Sequence, residues 1–259
     1  MMKQQIISMA EELDIKKCGF SRDSFVALFP YYIENEPGNI SQYARGRDYH
    51  EVLRQKLDPI AKKITELGGT GIIHIDNGQL NDRDAAYQAG LGFYGMNNML
   101  ICEEYGSYFF IGQVVHGLNI EADGPTEKTC LKCGKCIKEC TGNALGNGMF
   151  DIDRCVSHIS QKKGTLSCED EKLILKSGLC WGCDRCQEVC PFNSKIENTA
   201  IEEFKTERIC ELRLKDVENL SNRQFREKFE GYAFNWRGRN VLVRNLKLFE
   251  RAGNCDEKE

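Results

Sequence analysis

The sequence has no long apolar run. Nothing in its 259 residues approaches the roughly 18 consecutive apolar residues that a membrane span needs. The opening stretch, MMKQQIISMAEELDIKK, spreads charges through an amphipathic pattern. It has no unbroken apolar segment and no small-residue cleavage site, so it does not read as a secretory signal. There is no strong charge imbalance either. A net charge of −4 argues against a generic nucleic-acid coat, although a local basic surface remains compatible with it. The length suits one large domain or two modest ones, with a core that needs no staples. Cysteine, in contrast, is abundant, with 14 residues. Secreted disulfide scaffolds and cytosolic metal proteins both reach such numbers. Without a secretory signal, the expectation is a cytoplasmic chain whose cysteines are ligands.

The chain reads as helix over 3–13 and again over 48–67. In the second helix Val52, Leu53, Leu57, Ile60, Ala61, Ile64 and Leu67 share one face. The aromatic- and glycine-rich stretch from about 20 to 46 resists assignment. IIHID (72–76) reads as a short buried strand with Asp76 at its C-terminal end, and Asn81 as the N-cap of a helix that Gly90 stops. GLGFYGMNN is a glycine-rich turn, and the segment 99–118 reads as a hairpin turning near Tyr105-Gly106. After a cysteine-rich segment, residues 213–251 carry ten Lys and Arg against five Asp and Glu. That surplus suits a solvated helix face or, alternatively, a phosphate-contacting surface.

CLKCGKCIKEC (130–140) and CWGCDRCQEVC (180–190) repeat the spacing C-x2-C-x2-C-x3-C. Three cysteines at two-residue gaps in one loop can reach three irons of a cubane [4Fe-4S] cluster. In two-cluster ferredoxins the fourth cysteine of such a run serves the other cluster. Structural zinc usually takes cysteines in separated pairs, so two iron–sulfur clusters are the expected metal content. Cys190 is followed by Pro191, as in ferredoxins, whereas Cys140 is followed by Thr141. A ninth cysteine, Cys155, lies between the runs. Cys18, Cys102, Cys168, Cys210 and Cys255 stand alone and read as plain thiols.

From about Asp48 onward the chain resembles the epoxyqueuosine reductases, cobalamin- and iron–sulfur-dependent enzymes of tRNA modification. The resemblance lies in GRDYHEVLRQKL, IDNGQLNDRDAAYQAGLGF, EYGSYFFIG, the first cysteine run, DRCVSHIS, GCDRCQEVCPFN and NWRGRNVLVRN. It implies that the cluster ligands come as four, then one, then three. One cluster would be held by Cys130, Cys133, Cys136 and Cys190. The other would be held by Cys140, Cys155, Cys183 and Cys186, with Cys155 in an R-C-x-S element and Cys180 left over. Asp76 falls at the family's catalytic aspartate, a proton donor for the departing oxygen; a turn-capping aspartate is the plainer alternative. Cobalamin contacts are implied at Leu100, Ile111, Val156 and Ser157. No D-x-H-x-x-G element offers a histidine to cobalt, and Tyr49 and His50 belong to the shared D-Y-H. Two departures stand out. By the resemblance, the residues before Asp48 are fewer than the family has, Ser41 stands where the family has a cysteine at the cofactor face, and helical repeats of the kind that follow W-R-G in longer members are not expected within these residues.

The expectation is an α+β fold. Residues 1–125 form a cobalamin-binding domain with a small sheet flanked by helices. Residues 126–196 form a ferredoxin-like double-cluster module, and 197–259 a short basic helical tail. The expected function is reduction of epoxyqueuosine to queuosine in tRNA, fed by an external electron donor. A related reductase of another small electrophile and a ferredoxin-type electron carrier are the alternatives.

Overall fold

The computed structural model describes residues 1–259 except 35, 77–79, 147 and 257–259, and the backbone alone of 253–256. The chain divides into two compact units interleaved along the sequence. The first holds residues 1–32, 49–133 and 195–201; the second holds 33–48, 134–194 and 202–259. This grouping differs from the three consecutive segments read from the sequence. The stretch before Asp48 and the C-terminal tail join the second unit, and Lys195–Ile201 returns to the first.

The first unit is built on a four-stranded antiparallel sheet. Its strands are β1 (Lys17–Phe20), β2 (Ser24–Pro30), β3 (Ile72–His74) and β6 (Phe109–Val115), in the order β1-β2-β6-β3. Register runs from Ser24↔Val115 to Pro30↔Phe109 between β2 and β6, and His74 faces Gln113 across β3 and β6. The short strands β4 (Phe93–Tyr94) and β5 (Leu100–Ile101) pair with each other. The expected 99–118 hairpin therefore splits. Its first arm pairs with the glycine-rich turn, and its second arm enters the main sheet. Six of the seven β2 residues are buried, and β6 is the strand that pairs with β2 along its whole length. Strand β3 is an edge strand with Ile72 52% exposed, not the buried strand expected.

Helix α1 (Met2–Glu12) buries Ile6 and Ala10 against the unit. Helix α2 (Tyr49–Glu66) buries Val52, Leu53, Leu57, Ile60, Ala61 and Ile64 and packs on β6. Its approach depends on Gly112, where a Cβ would stand 2.6 Å from Leu57 Cδ1. Helix α3 (Asp82–Gln88) starts at the expected N-cap, since Asn81 accepts a hydrogen bond from the Asp84 N–H at 3.3 Å. Gly90, with φ +71°, follows its end. The strap Lys195–Ile201 is fixed where Thr199 donates to the carbonyls of Tyr32 and Pro30.

The second unit is mainly helical. It contains α4 (Lys135–Glu139), α5 (Val156–Gln161), α6 (Cys168–Ser177), α7 (Arg185–Glu188), α8 (Glu202–Lys205), α9 (Asn222–Lys228) and α10 (Arg239–Asp256), with a small hairpin of β7 (Leu145–Gly146) and β8 (Met149–Phe150). Its core includes fully buried Trp181, edge-on to Phe234 at 6.5 Å, and a cluster of Ile159, Leu166, Ile174 and Leu248. Helix α10 is no loose tail. Val241, Leu242, Leu246 and Leu248 are buried, and the Asn245 amide donates to the carbonyls of Ser160 and Cys180. Among the described residues no helix is long and apolar enough to cross a membrane.

Candidate active site and thiol cluster

Asp76, two residues past β3, lies in the left-handed region at φ +56°, a conformation that asks for local support in a residue other than glycine. Asp82, the first residue of α3, gives that support. It accepts the Asp76 N–H at 3.0 Å on Oδ2 and the Gln113 side-chain amide on Oδ1. Burial pushes the Asp82 carboxyl above its ordinary range, against the pull of these hydrogen bonds. The Asp76 carboxylate is held separately. Tyr49, at the start of α2, donates its hydroxyl to Asp76 Oδ2 at 2.5 Å, and His50 Nε2 lies 3.8 Å from the same oxygen. The Tyr49 ring stacks on Phe110 at 4.3 Å with planes 8° apart, and on His50 at 4.1 Å. Asp76 itself is 61% exposed, so its carboxyl group is open to solvent and to a ligand. Asn77, Gly78 and Gln79, which follow it, lie outside the described residues.

The implied cobalamin contacts fall in contrasting surroundings. Leu100 is buried among Val26, Leu28, Leu91 and Phe109, and Ile111 packs half-buried at the edge of that cluster. Val156 is buried and Ser157 half-buried in the first turn of α5. The glycines of the 90–95 turn serve the chain's own packing. A Cβ on Gly92 would meet the Ile101 carbonyl at 2.5 Å, and one on Gly95 the Asn97 side chain at 2.4 Å. Just past that turn, the buried Asn97 Nδ2 has no hydrogen-bond partner among the described residues, and neither does Gln113 Oε1 on β6. Buried polar atoms are normally paired, and the Asn97 amide is a donor that could serve an acceptor on a bound ligand such as a corrin amide.

In the second unit the structure brings four sulfurs together. Burial pushes the Cys186 thiol well up, and the charges of Cys183, Cys155 and Cys140 push it further. Cys183, raised to about 12, is affected first by burial and also by Asp184, Cys155 and Cys140. Cys155 is pushed up by burial and by Cys140, while the N–H groups of His158 and Ser157 directed at its sulfur pull it down. The Ala144 N–H likewise points at Cys140 Sγ, at 3.2 Å. Half-buried sulfurs gathered in this way suit cations placed among them. Among the described residues, no three His, Cys, Asp or Glu side chains are placed to share a single ion. A cubane presents a separate iron to each sulfur, so this donor set fits a cluster. Cys180 is different. It is fully buried and pushed up to about 12 by burial, and no other cysteine acts on it.

Of the other run, Cys136 is buried in α4, which packs against the Cys186-bearing α7, and Cys190 follows α7 half-buried. In the first unit Cys130 is half-buried and its sulfur accepts the Lys132 N–H at 3.4 Å, while Cys133 is exposed. Of the isolated cysteines, Cys18, Cys102 and Cys210 are raised chiefly by burial and Cys168 is exposed. The side chain of Cys255 lies outside the described residues.

Sequence reasoning missed Asp184. This carboxylate is buried between Cys183 and Arg185, and accepts the Ser41 hydroxyl at 2.6 Å and the Gln42 N–H at 2.7 Å. Ser41 is thereby committed to the interior of its own unit. The basic α10 is also corrected. Arg239 donates to the carbonyls of Val217 and Glu218, and Arg244 to those of Lys162 and Gly164. These two guanidinium groups are structural. Arg237 stacks on exposed Trp236 at 3.6 Å.

The chain is similar to known proteins along most of its length. Residues 21–76 match the family model for the epoxyqueuosine reductase QueG, and residues 129–193 match the 4Fe-4S double cluster binding domain. An epoxyqueuosine reductase of Lactococcus garvieae is 34% identical over 98% of this chain and 73% of that protein. One from Bacillus subtilis is 36% identical over 78% of this chain, but only 53% of its own length is matched. A crystal structure of epoxyqueuosine reductase with an epoxyqueuosine-modified tRNA-Tyr stem loop superposes with a TM-score of 0.83. It is 27% identical and covers 95% of this chain and 80% of that one.

Proposed function

The chain belongs to the epoxyqueuosine reductase family, and from that premise we propose that it reduces epoxyqueuosine to queuosine in tRNA in the cytoplasm, with Asp76 as the proton donor. The observation that carries the reading is the Asp76 carboxyl group, open to solvent just past an edge strand and held on one oxygen by Tyr49. The reaction takes two electrons and two protons. Both epoxide C–O bonds break, a carbon–carbon double bond forms, and the oxygen leaves as water. Bound cobalamin would supply the electrons at the carbon centre, drawing them from two [4Fe-4S] clusters that an external donor refills.

This chain's residues hold and protonate. Cys140, Cys155, Cys183 and Cys186 hold one cluster. Cys130, Cys133, Cys136 and Cys190 hold the other, as the family resemblance implies. Leu100, Ile111, Val156 and Ser157 are the cobalamin contacts that the family implies, and Asn97 Nδ2 is a buried donor without a partner among the described residues. Asp76 gives its proton to the departing oxygen and regains one from water, to which it is open. Single-turnover reduction of an epoxyqueuosine anticodon stem loop by reconstituted, cobalamin-loaded protein under a strong reductant tests the reading. Product formation that falls about 10²–10⁴-fold in Asp76→Asn supports it. No reduction by fully loaded wild-type protein would end it.

A further inference from the structure

The Tyr49 hydroxyl donates to Asp76 Oδ2 at 2.5 Å, the shortest hydrogen bond that the described residues offer Asp76. Nothing among the described residues bonds Oδ1. The Tyr49 ring has little room to rotate, because Phe110 lies parallel to it at 4.3 Å on β6 and His50 stacks at 4.1 Å. Phe110 is in turn fixed opposite Phe29 in the sheet register. The backbone of Asp76 is anchored independently through Asp82. Two separate anchors therefore set one carboxyl group, and the side-chain anchor traces back to the centre of the sheet.

We propose that Tyr49 is a positioning residue for proton delivery: it holds Oδ2 so that Oδ1 is the oxygen that carries the proton to substrate, and it stabilises the carboxylate left behind. The inference rests on the reading of Asp76 as proton donor. The O–H bond at Oδ1 breaks as the new O–H bond forms on the departing oxygen, the negative charge settles on the Asp76 carboxylate, and the Tyr49 proton stays on Tyr49. A hydrogen bond from a neutral donor to a carboxylate is charge-assisted and strengthens as the charge develops. The contact is thus worth more after proton transfer than before it, which is the condition for accelerating a step.

The test is a double-mutant cycle of Tyr49→Phe and Asp76→Asn in reconstituted, cobalamin-loaded protein. It reads the single-turnover rate of epoxyqueuosine reduction in an anticodon stem loop and the stem-loop dissociation constant. Tyr49→Phe keeps the stacked ring and removes only the donor. The expected result is a rate loss of about tenfold to a hundredfold with the dissociation constant unchanged within about twofold. In the Asp76→Asn background the same substitution should have less than about a twofold effect, because Tyr49 acts through Asp76. Phe110→Leu, which loosens the stack from the far side, should give a smaller loss that also vanishes in Asp76→Asn. Two outcomes overturn the proposal alone: Tyr49→Phe at wild-type rate while Asp76→Asn is crippled, or losses that multiply in the double variant. Near-normal turnover in Asp76→Asn removes the proton-donor reading itself, and this inference with it.

Discussion

Replacing Cys155 with alanine should cost the protein one [4Fe-4S] cluster, whereas replacing Cys180 should cost only stability. Cys155 is one of four sulfurs in mutual electrostatic contact, and two backbone N–H groups are aimed at it. A cubane that loses one of its four thiolates has an open iron, and reconstituted protein should drop from about eight irons to about four. Cys180 is 0% exposed, with no second cysteine acting on it. Removing its sulfur takes one heavy atom from a packed interior, a loss comparable with an Ile→Val change, about 0.5–1.5 kcal/mol. For a chain of this size that lowers the melting temperature by about 1–6 °C. Anaerobic iron and sulfide analysis, with electron paramagnetic resonance of the reduced proteins and a melting curve on each, separates the two. Full iron in Cys155→Ala, or loss of one cluster signal in Cys180→Ala alone, would refute the assignment.

Gly112→Ala should destabilise the first unit by about 1–3 kcal/mol, read by chemical denaturation, because its Cβ would press on Leu57 Cδ1 at 2.6 Å. Arg244→Ala should lower the melting temperature, since it strips hydrogen bonds from the carbonyls of Lys162 and Gly164. The salt dependence of tRNA binding should stay unchanged in that variant; a flatter slope would restore Arg244 as a phosphate contact. Burial pushes the Glu36 carboxyl up, but hydrogen bonds from Arg208 and Cys210 and the charges of Arg208 and Arg45 outweigh it and hold it below the ordinary range. Glu36 therefore binds protons less readily folded than unfolded. Its contribution is present above the ordinary glutamate range and is lost as pH falls from there through the depressed folded value. Glu36→Gln should flatten the fall of melting temperature below about pH 4.5; an unchanged acid limb would show that other groups dominate it.

The helices were legible because periodicity and caps act locally. The apolar face of α2 and the Asn81 cap lie where the residue pattern places them. Strand β2 was not legible. SFVALFP is buried on both faces, so it lacks the alternation that marks a half-buried strand. The 99–118 hairpin failed for a related reason. A tight turn near Gly106 is present, bridging Cys102 and Gly106. The turn does not decide which partner each arm takes, and β6 fills the place between β2 and β3. Partner choice is a long-range property of the sheet, absent from any local window.

The site divides along the same line. Two literal repeats of C-x2-C-x2-C-x3-C suggest four ligands from each run. Yet Cys180, the first member of the second run, is turned into a core whose backbone Asn245 of α10 ties down through the Cys180 carbonyl, 65 residues away in sequence. Spacing specifies which sulfurs could reach a cluster; tertiary packing specifies which sulfur is turned elsewhere. The basic surplus of α10 is a similar case. Composition counts charges, but Arg239 and Arg244 are engaged by carbonyls contributed from 217–218 and 162–164. The family resemblance singled out Asp76, and it named Tyr49 and His50 only as part of D-Y-H, with nothing to link the phenol to the carboxylate. Twenty-seven residues separate the two, and only the pairing of β3 with β6, with α2 lying on β6, sets the phenol against the carboxylate. The proposed proton donor is thus marked by a family motif, while the contact with the group proposed to aim it depends on the assembled sheet. Substitutions at Phe110 should therefore act on Asp76 through Tyr49, without touching it.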